Sequence, residues 1–187
     1  MVTIVLGGQI GSEGKVKIAA YISFEYNMSI RSGGPNAGHT VNYKGNSFIM
    51  QLVPCAFINP KCLLAMSAGS LITPEIILQE IKKLNIKNNS LIIDPNAGII
   101  EQRHINLEVS MYEKRLSTGK GVGYATAEKL LRKPYFKLAK DIPELKEYIG
   151  SVEEVANKYI NQGKKIMIEG TQGFDLSLHH GSYPFVT

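Results

Sequence analysis

The chain has 187 residues, 44% of them hydrophobic and 20% charged, with a formal net charge of +5, which suits one soluble domain with a sizeable core. No apolar run approaches the ~20 residues of a membrane span, and the start "MVTIVLGG" lacks the basic region of a signal peptide, so a cytoplasmic protein is expected. The lysines are scattered and Trp is absent, which argues against a nucleic-acid groove, whereas a mild basic excess with 18 glycines suits a binder of small anions such as nucleotides. Cys55 and Cys62 are expected to be free thiols.

Residues 2–6, "VTIVL", are a continuous β-branched run ended by Gly7-Gly8 and predict a buried strand. Lys15 to Tyr26 predicts a helix with Ile18, Ala19 and Ile22 on one face. "MSIRS" is a short second strand. The alternating residues on either side of Lys44-Gly45-Asn46 predict a hairpin. "CLLAM" is a further buried strand. Thr73-Pro74 opens a helix, with Thr as N-cap and Pro at the first helical position. "SLIID" is a strand ended by Pro95, and residues 101–114 read as helical. "LSTGKGVGYA" is a second glycine loop, followed by a helix from about Thr126 to Arg132. Ser151 and Glu154 form a capping box for a helix that Gly163 closes. "KIMIEG" is a strand, and "GTQGFDLSLHHGSYPFVT" a third glycine loop. The alternation predicts an α/β fold: a mainly parallel central sheet with flanking helices and a P-loop-like glycine loop after the first strand. Such sheets bind ligands beyond their strand ends, where all three glycine loops are expected.

The first loop, "GGQIGSEGKVK", departs from G-x-x-x-x-G-K-[ST]: Gln9 stands at the first Gly and Val16 at the hydroxyl. Its backbone N–H groups and helix N-terminus still suit an anion. Lys15 is placed to reach a phosphate, and Glu13 to orient a metal or a lysine; a tight turn without a ligand is the alternative. In "RSGGPNAGHT", His39 follows a Gly-rich turn containing Asn36, as a structural histidine or as an acid that protonates a bridging phosphate oxygen. "STGKGVG" offers hydroxyls and amides to a monophosphate, and "EGTQGF" sets Gln172 where its amide reads a purine edge. Adjacent histidines rarely face one ion, so His179-His180 is not expected to hold a metal. His104 reads as a helix-surface residue, and Tyr183 and Phe185 as core.

Together these pieces resemble the adenylosuccinate synthetase family. "GGQIGSEGKVK" is similar to its G-x-Q-W-G-D-E-G-K-G-K, "GGPNAGHTV" to its G-G-x-N-A-G-H-T-V, "STGKGVG" to its T-T-G-R-G-I-G, and "EGTQGFDLSLHHGSYPFVT" to its E-G-A-Q-G-x-x-L-D-x-x-x-G-T-Y-P-Y-V-T. The pattern spans essentially residues 1–187 as the N-terminal portion of such a domain. The resemblance implies a ligase of purine biosynthesis that joins L-aspartate to C6 of a 6-oxopurine nucleotide. GTP (or ATP or dATP) first phosphorylates the 6-oxygen, with Mg²⁺, and aspartate then displaces phosphate.

The implied roles carry over by position. Glu13, Gly14, Lys15, Gly38, His39 and Thr40 would hold the triphosphate co-substrate, and the Gly38 carbonyl would be a Mg²⁺ ligand. His39 would be the general acid near the transferred phosphoryl. Asn36, Ala37, Thr118 and Thr187 would bind the monophosphate substrate, with Lys15, Gly38 and His39 beside it, and Gln172 would contact its base. Arg132 matches an arginine inserted into the neighbouring subunit's site, which implies a homodimer.

Two departures stand out. Ser12 occupies the place of the family's catalytic aspartate, which is both the base and a metal ligand. A serine hydroxyl is not a base near neutral pH without an activating partner. The phage-type branch that joins aspartate to dGMP, on the way to 2-aminoadenine nucleotides, carries the same serine. A smaller, neutral residue leaves room for the 2-amino group of guanine, so dGMP stands beside IMP as substrate, with Glu13 or a metal-bound hydroxide taking the proton. Val16 and Ile10 also depart from the family pattern. The second departure is length: the aspartate loop and the segment that reads the guanine of GTP are absent, and the chain ends within a matched motif. A fragment, split protein or truncated form, inactive alone, is the expectation. A nucleotide-binding remnant without catalysis is the alternative.

Overall fold

The structure, a computed structural model, describes residues 1–111 and 117–187. In chain order it contains β1 (Val2–Gly7), α1 (Lys15–Ile22), β2 (Met28–Arg31), β3 (His39–Tyr43), β4 (Asn46–Met50), β5 (Leu63–Met66), β6 (Leu71–Ile72), α2 (Pro74–Lys83), β7 (Leu91–Ile93), β8 (Gly98–Ile99), α3 (Gln102–Met111), α4 (Val122–Leu130), α5 (Val152–Asn161) and β9 (Ile166–Gly173). The central sheet is parallel and runs β1-β9-β2-β5-β7, the architecture expected from the alternation of strands and helices. β3 and β4 form the antiparallel hairpin, closed by Lys44-Gly45 with φ of 50° and 78°, the two positive φ values of a type I′ turn.

The last strand enters between the first two. β9 pairs with β1 on one side and with β2 on the other. The chain segments leaving the C-terminal ends of β1, β2 and β9 are therefore neighbours, at a point where chain order and strand order part company, the place where parallel sheets bind ligands. The main core lies on the face covered by α1, α2 and the turn at Cys55–Ile58, around Leu52, Met66, Ile77 and Leu91. On the other face α5 packs Val152, Val155 and Tyr159 against Met28, Ala65 and Ile166.

Several local expectations change. β1 is not a buried strand. It is a sheet edge, and Val2, Ile4 and Leu6 are 45%, 58% and 69% exposed. Val2 pairs with Ile166 and Ile4 with Ile168, so these side chains share the face that α5 covers over Ile166 and lie beyond its reach. Ile18 is likewise exposed on α1, while Ala19 is buried. The first helix stops at Ile22 and a single 3₁₀ turn follows, where the Ser23 hydroxyl donates to the Ala20 carbonyl. Thr73 occupies the N-cap position of α2, but its hydroxyl caps nothing and is buried without a partner. α4 begins at Val122 behind a left-handed Gly121, earlier than expected, so Gly123 belongs to the helix. The expected helix over 101–114 is seen as α3, its last residues lying outside the described ones. Ser151 caps α5 by accepting the Glu154 N–H, and Gly163 ends it at φ 71°.

Candidate functional site

A cleft of about 240 Å³ opens beyond the β1, β2 and β9 ends, lined by Gly11, Ser12, Gly14 to Lys17, Arg31, Ala37 to Thr40, Gly170 and Thr171. The glycine loop that forms one wall is braced from inside. The Glu13 carboxylate accepts the Gln9 N–H at 2.7 Å and the Gly11 N–H at 3.1 Å. Those bonds, the Gly11 one foremost, hold its carboxyl below the usual range, which makes it a poor proton acceptor. Glu13 does not line the cleft, so the structure sets it against the role of base. Gly11 and Gly14 adopt φ of 93° and 87°, where side chains are strained. Lys15 is buried at the start of α1 and its ammonium donates to the Gly11 carbonyl at 3.2 Å. Ser12 stays exposed at the cleft mouth.

The third glycine loop packs directly on the first. The Asp175 N–H donates to the Gln9 carbonyl at 3.0 Å, and a Cβ on Gly173 would collide with Gln9 and Gly11 backbone. Only glycine admits this approach.

The opposite wall carries His39, at the start of β3 and buried. Its Nε2 lies 3.0 Å from the Val53 carbonyl oxygen. A carbonyl only accepts, so Nε2 carries the hydrogen. Burial first, then the charge of Arg31, hold the imidazole below its ordinary pKa, so the ring is neutral near pH 7 and Nδ1 is a bare acceptor without a partner. Acting as an acid would require a proton on Nδ1 or a turned ring.

Behind this wall lies a buried ion pair that the sequence reading missed. Arg31 and Glu169 face each other across β2 and β9. Arg31 also donates to the carbonyls of Ala37 and Gln51, and Glu169 accepts the Cys55 N–H. The available signal was a charge closing each of two apolar strands, "MSIR" and "IMIE". Glu80, which anchors the turn under His39, carries no such signal within its amphipathic helix.

The other expected residues fall into three groups. Asn36 and Thr187 come together, the Asn36 amide donating to the Thr187 hydroxyl at 3.1 Å. Gln172 ends β9 beside Thr171 but does not line the cleft. Thr118 and Arg132 are exposed and lie outside it; Arg132 sits just past α4 at φ 53°, beside exposed Leu130 and Leu131. The last described element before the "STGKGVG" loop is α3, and the residues between them lie outside the described ones. The loop leads into α4, where the Gly121 N–H donates to Glu108 of α3.

His104 is not a surface residue. It is fully buried, its Nδ1 accepting the Glu101 N–H and its Nε2 paired with Glu128. Tyr183 and Phe185, expected in the core, are exposed. Among the described residues no group of three His, Cys, Asp or Glu converges to hold a metal, and no helix is long and apolar enough to cross a membrane. Both cysteines are free and buried.

In sequence and in fold the chain is similar to known proteins. A family profile described as Adenylosuccinate synthetase matches residues 4–137 and 134–187. Over 99% of its length the chain is 45% identical to the adenylosuccinate synthetase of Methanococcus vannielii and 44% identical to that of Methanocaldococcus jannaschii, covering 56% and 55% of those proteins. It superposes on the cyanophage S-2L succinoaminodeoxyadenylate synthetase (PurZ) bound to dGMP and dATP with a TM-score of 0.87 at 28% identity, covering 55% of that chain. The Plasmodium falciparum adenylosuccinate synthetase shares the fold, with a TM-score of 0.90 at 24% identity. The chain thus spans about half the length of its curated relatives. With the profile matching nearly every residue, the chain belongs to the adenylosuccinate synthetase family.

Proposed function

We propose that this chain supplies the phosphate-handling half of a ligase joining L-aspartate to C6 of a 6-oxopurine nucleotide, driven by a nucleoside triphosphate (GTP, ATP or dATP). The observation that supports this best is the convergence of the Lys15 cradle, the Ala37 to Thr40 wall and the end of β9 on one cleft. The loop N–H groups and Lys15 bind phosphate oxygens. Asn36 and Thr187, already within hydrogen-bond reach of each other, grip the substrate monophosphate, with Thr118 reaching in from the loop before α4. Gln172 reads the base from the end of β9, and Arg132 completes the site of a second copy in a homodimer.

The donors present fit Mg²⁺ in one way. Ser12 and the Gly38 carbonyl offer neutral oxygens and the Glu13 carboxylate is occupied by backbone N–H groups. An ion that keeps its waters and arrives on the triphosphate needs no more than these. Bound there, Mg²⁺ would neutralise phosphate charge.

Ser12 and the phage relative's dGMP support dGMP as substrate; the higher identity to archaeal adenylosuccinate synthetases supports IMP. A noncatalytic nucleotide binder is the second reading, favoured by the missing carboxylate at position 12.

Calorimetric titration with dGMP and IMP, in Mg²⁺, tests these readings. Tighter dGMP binding is expected if Ser12 sets specificity, and a Ser12→Asp variant should then lose it. Binding of neither nucleotide, or of triphosphate, by the folded chain would defeat the proposal for the chain alone. Where a nucleotide does bind, joining the chain to the C-terminal part of a relative asks whether a succinyl-purine product forms; none would leave only the binding reading.

A further inference from the structure

Three consecutive backbone N–H groups end on one carboxylate. Glu80 Oε1 accepts from Gln51 at 2.5 Å, and Oε2 accepts from Leu52 at 3.1 Å and Val53 at 2.9 Å. Glu80 projects from the middle of α2 into the core, beside Ile77 and Ile81. A buried carboxylate is costly there unless it is well bonded, and packing alone would be served by an apolar side chain. Its role is at the turn it gathers.

That turn carries one atom of functional interest, the Val53 carbonyl, which receives the Nε2–H of His39. Arg31 holds the flanks, donating to Ala37 at 3.1 Å, two residues before His39, and to Gln51 at 3.2 Å, where the turn begins. Nδ1 of His39, on the other side of the ring, is buried without a partner.

We propose that Glu80 is a positioning residue of this cleft: by collecting the N–H groups of residues 51–53 it aims the Val53 carbonyl at His39 Nε2 and fixes the ring in the Nε2–H tautomer, with Nδ1 presented as an acceptor. This deepens the nucleotide-cleft reading without depending on it, because the tautomer exists with no ligand bound.

The test is two-bond ¹⁵N–¹H NMR of the histidine-labelled full chain, with a His39→Gln variant assigning the signals. The wild type should show a pyrrole-type Nε2 and a pyridine-type Nδ1 for His39. In Glu80→Gln the side-chain NH₂ opposes backbone donors, so the two nitrogen signals should move toward each other. Ile81→Val, which loosens the same helix without touching the carboxylate, should leave them in place. If Glu80→Gln does not fold, Glu80→Asp, with its charge kept and its reach shortened, should move the same signals. An Nδ1–H tautomer in the wild type, or unchanged signals in a folded Glu80 variant, overturns the proposal. So does failure of both Glu80 variants to fold, since Glu80 would then serve the fold rather than the histidine. Nucleotide titration of the wild type separately reports on the cleft reading.

Discussion

Replacing Glu169 by Gln probes how the His39 wall of the cleft is held. The change keeps shape and removes one charge. Arg31 is 2% exposed and Glu169 fully buried, so the guanidinium would be left with neutral acceptors alone, the new amide oxygen and the Ala37 and Gln51 carbonyls. Removing one member of a buried pair costs about 3–5 kcal/mol, because the other charge stays desolvated. With a urea slope of about 2 kcal/mol per molar for a chain of this size, the unfolding midpoint should fall by about 2 M. Far-UV circular dichroism during a urea titration reads this directly. A fall of less than about 0.5 M would refute the reasoning, since it would mean that Arg31 finds solvent or another anion at no cost. The pH dependence has a definite sign. Burial pushes the Glu169 carboxyl up, but Arg31 and then His39 outweigh it and the net pKa lies below the usual range. The stability it contributes is therefore complete above the ordinary carboxylate range and is lost as pH falls through the lowered value. The acid limb of the stability curve should be shallower in Glu169→Gln than in the wild type.

Other consequences follow from the same contacts. Gly173→Ala places a methyl group against the Gln9 and Gly11 backbone, so the cradle is displaced; triphosphate binding should fall at least about tenfold by calorimetry, and unchanged affinity would show that the loops part freely. Lys15→Met removes the ammonium at the helix start and, at about 1.5–3 kcal/mol for a charged hydrogen bond, should weaken triphosphate binding by about ten- to a hundredfold with the circular dichroism spectrum unaltered. Burial pushes the Cys62 thiol up to about 12, and burial followed by the Glu169 charge pushes Cys55 up as well. Neither should react with a disulfide reagent at pH 8 until the chain is unfolded, and rapid labelling of native protein would contradict the packing.

The parallel sheet, the hairpin and the α5 cap were legible because each is written locally: an apolar run, a Lys-Gly turn, a serine three residues before a glutamate. What stayed hidden depends on distant partners. "VTIVL" reads as a buried strand, but burial is a property of neighbours, and β1 has β9 on one side only. Thr73 sits at the right place for a cap while its hydroxyl points to no N–H. His104 looks like a surface residue by helical spacing and is buried by Glu128, which arrives from α4. In the site, Lys15, Gly38 and His39 were legible as a motif. Glu80 was not, since nothing in α2 announces that three N–H groups of another segment will close on it.

The charge of the cleft follows from two positions and sets a last prediction. Where the family pattern carries an aspartate, this chain has Ser12, and the neighbouring Glu13 is engaged with the loop's own N–H groups. Among the described residues no carboxylate lines the cleft, while Lys15 and Lys17 do, and Arg31 is neutralised by Glu169. The resting field is therefore positive, reinforced by the α1 N-terminus, and phosphate needs less help from a cation to enter. Writing the carboxylate back with Ser12→Asp adds a negative charge at the mouth. For charges roughly 6 Å apart at an effective dielectric of about 20, the repulsion is about 3 kcal/mol per phosphate charge before salt screening. Inorganic triphosphate, titrated without divalent cation, should bind the wild type at least about tenfold more tightly than Ser12→Asp, with screening taking up the rest of that energy. Mg²⁺ should narrow the gap, since its charge would offset that of the new carboxylate. Equal metal-free affinity would mean that position 12 lies outside the field of the bound phosphates, and the serine would then owe its place to the shape of the purine rather than to charge.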